Sequence, residues 1–259
     1  MQVVLIGAGR LATQLGLALR RSGHDVTAVY SRTMESAETL AGKIGCRAVN
    51  APLQLPQEAD VFILSVKDSA MESLIPQITS GREGQLFVHT AGSMSIELLQ
   101  GHARRYGVFY PMQSFSKERQ VDFSEIPLFI EASDSASLAV IKTLAMSLSH
   151  KVYELSSDER KYLHLAAVFA CNFANHCYAL SSKILEQHGM PFSVMLPLID
   201  ETARKVHQLH PIEAQTGPAV RFDENVINMQ RELLAGQPEM QQLYQLFSES
   251  IHRIHNEKA

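Results

Sequence analysis

Apolar and polar positions follow two rhythms along this chain, and the rhythm changes once. Short Val/Ile/Leu-rich runs at 2–6, 25–30, 47–49, 60–68, 85–89, 107–110, 127–131 and 151–155 alternate with stretches of helical period at 11–22, 34–44, 71–78 and 138–148. That alternation predicts an α/β domain of about eight strands, mostly parallel, with some of the later ones antiparallel. After Ser156 the β-rich runs stop. Helical periodicity continues over 157–187, 193–209, 224–234 and 239–254, so the expected division is a sheet domain at 1–156 and an all-helical domain at 157–259.

The first strand ends in Gly7-Ala8-Gly9-Arg10-Leu11-Ala12. Gly7 permits a tight turn, Gly9 lets the backbone approach a pyrophosphate, and Ala12 keeps the new helix close to the strand. Free N–H groups at the helix start would then face the phosphates. Small residues also occur at ordinary strand-to-helix turns, but here strand, glycines and helix follow in the order that a dinucleotide fingerprint requires. The predicted fold is a Rossmann-type doubly wound sheet followed by an all-α domain, with Gly7, Ala8, Gly9, Arg10 and Leu11 against the cofactor.

The second strand should end beside the adenosine ribose. An NAD site usually carries Asp or Glu there, whereas this chain reads Tyr30-Ser31-Arg32-Thr33. The guanidinium of Arg32 suits a 2′-phosphate, with Ser31 and Thr33 as further donors, so NADP is expected over NAD. Ser31 or Thr33 also fits as a simple cap for the helix at 34–44.

Ligands of such sheets lie beyond the carboxyl ends of the strands, which places Ser65, Val66 and Lys67, then Ala91 and Gly92, on the nicotinamide side. Asp68 would face the cofactor as well, but reads first as the N-cap of the helix at 71–78. His89, at a strand end, is read as structural, with proton donation as the alternative. The long polar and aromatic loop after Tyr110 has the length of a functional or mobile connection.

Composition narrows the partners. With 27 acidic against 23 basic residues and a pI near 6.3, the basic footprint of a nucleic-acid binder is missing, and a small anionic ligand fits better. No apolar run reaches about 18 residues, and Met1 leads straight into a strand without a basic leader, so no membrane association and a cytoplasmic location are expected. Cys46, Cys171 and Cys177 show no C-x-x-C spacing and read as reduced, buried thiols.

On the long helix beginning near Ser157, Lys161, His164, Val168, Asn172 and Asn175 form one stripe at about 100° per residue, opposite Phe169, Phe173 and Leu180. The apolar stretch 165–171 predicts a helix buried nearly all round. Asn172 would then need partners, from a ligand in a cleft between His164 and Gly92 or from neighbouring helices. His207 with His210 and His252 with His255 pair on helical faces, but no third ligand accompanies either, so solvated faces and no metal are expected. In 216–223, Arg221 and Asp223 either pair with each other or bind an anionic substrate group.

The segments Gly7-Ala-Gly-Arg-Leu-Ala12, Tyr110-Pro-Met-Gln-Ser-Phe115, Phe129-Ile-Glu131, His164-Leu-Ala-Ala-Val-Phe-Ala-Cys-Asn172 and Thr216-Gly-Pro218 with Arg221 and Asp223 carry a resemblance over the whole chain. It resembles the 6-phosphogluconate dehydrogenase-like superfamily, near pyrroline-5-carboxylate reductase and the deazaflavin-dependent NADP oxidoreductases. More closely, it resembles a family of NADP oxidoreductases with a helical C-terminal domain of unknown function. The resemblance implies that the long helix crosses the nicotinamide end of the cleft and mediates a homodimer, with His164 and Asn172 beside the substrate. The chain departs from the family in having Tyr110 where members often carry His, and it lacks the glycine-serine-glycine and Ser-Pro-Gly-Gly-Thr segments of pyrroline-5-carboxylate reductases. The function expected is NADP(H)-dependent hydride transfer to or from a small carbonyl or imine. His164 would be first proton donor, Tyr110 the second candidate, and Asn172 would orient the substrate. A non-catalytic, nucleotide-binding regulatory or scaffold protein is the alternative.

Overall fold

Strand β1 (Gln2–Ile6) lies in the interior of the sheet because Val3, Val4, Leu5 and Ile6 are all apolar, and all four are wholly buried. A strand covered on both faces reads as a continuous apolar run. The computed structural model describes residues 1–256 and shows eight strands in the order β3-β2-β1-β4-β5-β6-β7-β8. The others are β2 (Asp25–Tyr30), β3 (Arg47–Val49), β4 (Val61–Leu64), β5 (Leu86–His89), β6 (Arg105–Pro111), β7 (Leu128–Ala132) and β8 (Val152–Glu154). Pairing is parallel except between β6 and β7. The first six strands thus form a doubly wound sheet, and an antiparallel turn adds the last two.

The two-residue period of each strand sends its side chains to two separate cores. Val3, Leu5, Val61 and Ile63 pack on one face with Leu15 and Leu19 of α1 (Arg10–Arg21), Leu40 of α2 (Met34–Ile44) and Ile141 of α4 (Ser135–Met146). Val4, Ile6, Phe62 and Leu64 pack on the other with Met71, Ile75 and Ile78 of α3 (Asp68–Thr79). There the rings of Phe62 and Phe87 stack with centroids 4.7 Å apart. Such a pair contributes about 0.5–1.5 kcal/mol beyond its buried area.

Helix starts differ from the sequence pattern at their caps. Helix α3 begins at Asp68, with Lys67 in the cap position, so Asp68 stands in the first turn rather than capping it. There its charge complements the helix dipole. Helix α4 starts three residues early because the Asp134 carboxylate accepts the Ser137 N–H at 2.8 Å. Ser156 caps α5 (Ser157–Ala167), in a reciprocal box with Glu159.

The long helix is also not uniform. A π-helical turn over Val168–Phe173 separates α5 from α6 (Ala174–Gln187), and the extra residue per turn breaks the predicted 3.6-residue stripe. The expected all-round burial is corrected as well. Leu165 is 53% exposed, and Asn172 is exposed, so it needs no partner within the chain. Cys171 and Cys177 are exposed too, and only Cys46 is partly covered.

The chain divides into two compact units, Met1–Cys171 and a second beginning at Asn172, and the dividing point falls inside the π turn. The second unit comprises α6, α7 (Leu196–Lys205), the short α8 (Pro211–Ala214) and α9 (Pro218–Arg221), α10 (Glu224–Glu232) and α11 (Pro238–Asn256). Because α7 stops at Lys205, His207 and His210 do not share a helical face. His252 and His255 are not simply solvated: one ring stacks on Phe222 at 4.4 Å, and the other bonds the Ile212 carbonyl at 3.0 Å. Asp223 accepts the Val226 N–H to cap α10 and is in no ion pair with Arg221 among the described residues.

Candidate active site

A groove of about 710 Å³ runs along the carboxyl ends of β1, β2 and β4. Its lining includes Gly7, Ala8, Gly9, Ser31, Arg32, Thr33, Ser65, Val66 and Lys67. Gly7 has φ +125°, and a Cβ there would lie 2.1 Å from the Ser65 carbonyl oxygen, so only glycine lets β1 and β4 exit this closely. A Cβ on Gly9 would meet nothing within 4 Å, because that position faces open space. The cap position of α1 is Gly9 itself, with no side-chain bond to the first turn, which leaves backbone donors available.

Arg32 is exposed at the end of β2, and among the described residues no carboxylate lines the groove. Thr33 holds the cap position of α2, but its hydroxyl donates to Ser36 Oγ at 2.8 Å rather than accepting a backbone N–H. Leu11 and Arg10 do not line this groove. Arg10 borders a neighbouring cavity of about 510 Å³, with Gln113, Ser114, Ser116 and Arg119. A third cavity, about 660 Å³, includes Ser22, Met146 and His150 at the far ends of α1 and α4, away from the strand ends where such sheets hold ligands.

Tyr110, near the carboxyl end of β6, meets His164 of α5 and Gly92 of the loop that follows β5. The Tyr110 hydroxyl lies 3.0 Å from His164 Nδ1, and the two rings meet edge to face. A Cβ on Gly92 would stand 2.5 Å from that same Nδ1 and 2.8 Å from the Tyr110 ring. The three are therefore packed in contact, and no open cleft separates His164 from Gly92. Burial pushes the Tyr110 phenol above its usual range, against an opposing pull from the Arg160 charge, so the hydroxyl keeps its proton at neutral pH.

His89 explains how the Gly92 loop holds its shape. Wholly buried, it accepts the Ala91 N–H on Nδ1 and donates from Nε2 to the Ser95 carbonyl, each at 3.3 Å. Burial lowers its pKa to about 4, so the ring is neutral and structural. Ser93 donates to Asp68 at 2.6 Å, and Thr90 bonds back to the Leu64 carbonyl.

Arg160 has no counterpart among the residues singled out from sequence for this site. It is 1% exposed, and its guanidinium donates to Glu131 at 2.6 Å, the Met94 carbonyl at 2.6 Å and Ser157 Oγ at 3.0 Å. Breaking such a buried pair from one side costs about 3–5 kcal/mol. The available signal was its spacing, one helical turn before His164, together with the acid that ends Phe129-Ile-Glu131. Asn172 belongs to the second unit.

A family model described as a Rossmann-like domain matches residues 1–112, and one described as a domain of unknown function, DUF2520, matches 126–251. Among solved structures, a protein from Bacteroides fragilis described as a "putative NADP oxidoreductase" is 54% identical, with 97% of this chain and 98% of that one covered and a TM-score of 0.94. An imine reductase from Streptomyces aurantiacus shares the fold at 17% identity, covering 98% and 94% of the two chains with a TM-score of 0.68. A 1-pyrroline-5-carboxylate reductase from Streptococcus pyogenes does so at 14% identity, 98% of each chain and 0.64. No match was found among curated protein sequences. The class is that of the Rossmann-type oxidoreductases. Within it, this chain belongs to the family that joins a Rossmann-like domain to DUF2520 and includes the Bacteroides protein.

Proposed function

We propose that the protein is an NADP(H)-dependent oxidoreductase acting on a small carbonyl or imine compound, with Tyr110 and His164 handling the proton. The 3.0 Å contact between these two side chains, at the carboxyl end of β6, carries the reading. The groove fits a dinucleotide: Gly9 leaves room that any side chain would fill, the first turn of α1 offers uncapped donors, and Arg32 stands where a 2′-phosphate would need a cation. When bound, the cofactor supplies or accepts the hydride.

Protein groups then need only orient the C=O or C=N bond and move one proton. In the imidazolium form, His164 donates from Nδ1 to the Tyr110 oxygen and presents its Nε2 proton. Release of that proton to the substrate oxygen or nitrogen leaves a neutral ring still bonded to Tyr110. In the oxidative direction the same nitrogen takes the proton back. The reading extends to a homodimer, supported by large apolar side chains left exposed on helices, among them Tyr162 and Leu165 on α5 and Leu196 and Leu198 on α7.

The test is NADPH oxidation against a panel of small carbonyl and imine compounds. Turnover should fall about 10²- to 10⁴-fold in His164→Ala, the usual span for a general acid, and less in Tyr110→Phe. Full turnover in His164→Ala would remove the proton role, and failure to bind NADPH at all would remove the reading.

A further inference from the structure

We infer that Arg160 is a positioning residue for the Tyr110–His164 pair, acting as a clamp that fixes α5 against both the Gly92 loop and β7. The inference rests on the proposed role of that pair and assigns its upkeep to a residue with no place in the chemistry itself.

Arg160 and His164 are four residues apart on one regular helix, so their side chains project from the same face. The guanidinium spans two elements that the pair depends on. One nitrogen donates to Glu131 on β7, the strand paired with the Tyr110 strand, with Phe129 directly opposite Tyr110. Another donates to the Met94 carbonyl, two residues beyond Gly92. Ser157 closes the ring: its hydroxyl donates to Glu131 at 2.7 Å and accepts from both Arg160 and the Ile96 N–H, the latter at 2.9 Å. A planar fork suits this task, since it holds a carboxylate and a carbonyl in fixed directions where an ammonium would bind as a point charge.

The Gly92 contact shows how little slack the arrangement has. His164 lies close enough that even one methyl on Gly92 would displace it. A small rotation of α5 would therefore either drive the imidazole into the loop or draw it away from the phenol. With Arg160 in place, neither element can drift independently.

The experiment compares Arg160→Lys, Glu131→Gln and Ser157→Ala, using the ring ¹H–¹³C NMR signals of His164, assigned by their loss in His164→Ala. This readout needs no turnover. The clamp predicts that the His164 signals of folded Arg160→Lys move toward those of Tyr110→Phe, with smaller movement in Glu131→Gln and Ser157→Ala. It also predicts that kcat falls at least tenfold, while NADPH binding, at a groove this network does not touch, changes less than twofold. Should Arg160→Lys fail to fold, the other two variants carry the test. Unmoved His164 signals in every folded variant would overturn the inference. Moved signals in a protein without turnover on any substrate would leave the clamp standing and count against the oxidoreductase reading alone.

Discussion

Gly92 faces His164 so closely that an added Cβ would sit 2.5 Å from its Nδ1. Real Cβ atoms do not approach ring nitrogens at this distance, so Gly92→Ala must move the imidazole or the loop. Overpacking of this kind costs about 1–3 kcal/mol. We expect a corresponding drop in urea unfolding free energy, and a larger loss of turnover than stability alone explains. An alanine variant with unchanged stability and activity would refute the contact.

Arg32 should distinguish the two nicotinamide cofactors. Hydrogen bonds to charged groups contribute about 1.5–3 kcal/mol, so Arg32→Ala should weaken NADPH roughly 10- to 100-fold while leaving NADH nearly unchanged. Fluorescence titration of both cofactors measures this. Equal affinity for the two in the unmutated protein would rule out the NADP preference.

His89 predicts a pH dependence of stability. Its pKa is lowered from 6.5 to about 4 in the fold, so between those values the unfolded chain binds the proton and the folded chain does not. Stability from this residue is full above about pH 6.5 and declines as pH falls toward about 4, by about 3 kcal/mol across the window. Replacing His89 with Gln should flatten that part of the curve in urea melts run from pH 7 to pH 4. An unchanged slope would show that the ring does not hold this state.

The exposed apolar residues predict association. Leu165→Glu places a charge among them, and sedimentation should show a shift from dimer toward monomer with the sheet unit still folded. A wild-type protein that sediments as a monomer throughout the micromolar range would argue against the homodimer.

Much of the sheet could be read from the sequence because burial on both faces leaves an unbroken signature, as in Val61–Leu64, and the turn at Gly7 carries its own fingerprint. The helical part was less legible. A π turn has no period of its own in six residues, so a stripe from Lys161 to Asn175 at 100° per residue runs through a place where the helix changes pitch. Arg160 sits in the polar run Asp158-Glu159-Arg160-Lys161, where a buried arginine looks the same as its solvated neighbours. What separates them is an acid on a strand 29 residues earlier, a tertiary relationship that local pattern does not encode. The surroundings of His252 and His255 are hidden for the same reason, since Phe222 and the Ile212 carbonyl reach them from other segments.

The cysteines divide the molecule by reactivity. Burial raises the Cys46 thiol to about 11, leaving almost no thiolate at neutral pH, whereas Cys171 and Cys177 are exposed. Cys177 also borders the apolar hollow formed by Leu180, Ile184, Met240 and Phe247. A maleimide dye would therefore bypass the sheet and mark the long helix without any engineered handle. If copies associate over that surface, the rate of labelling at Cys177 would slow with protein concentration, giving the native chain a built-in gauge of its own assembly.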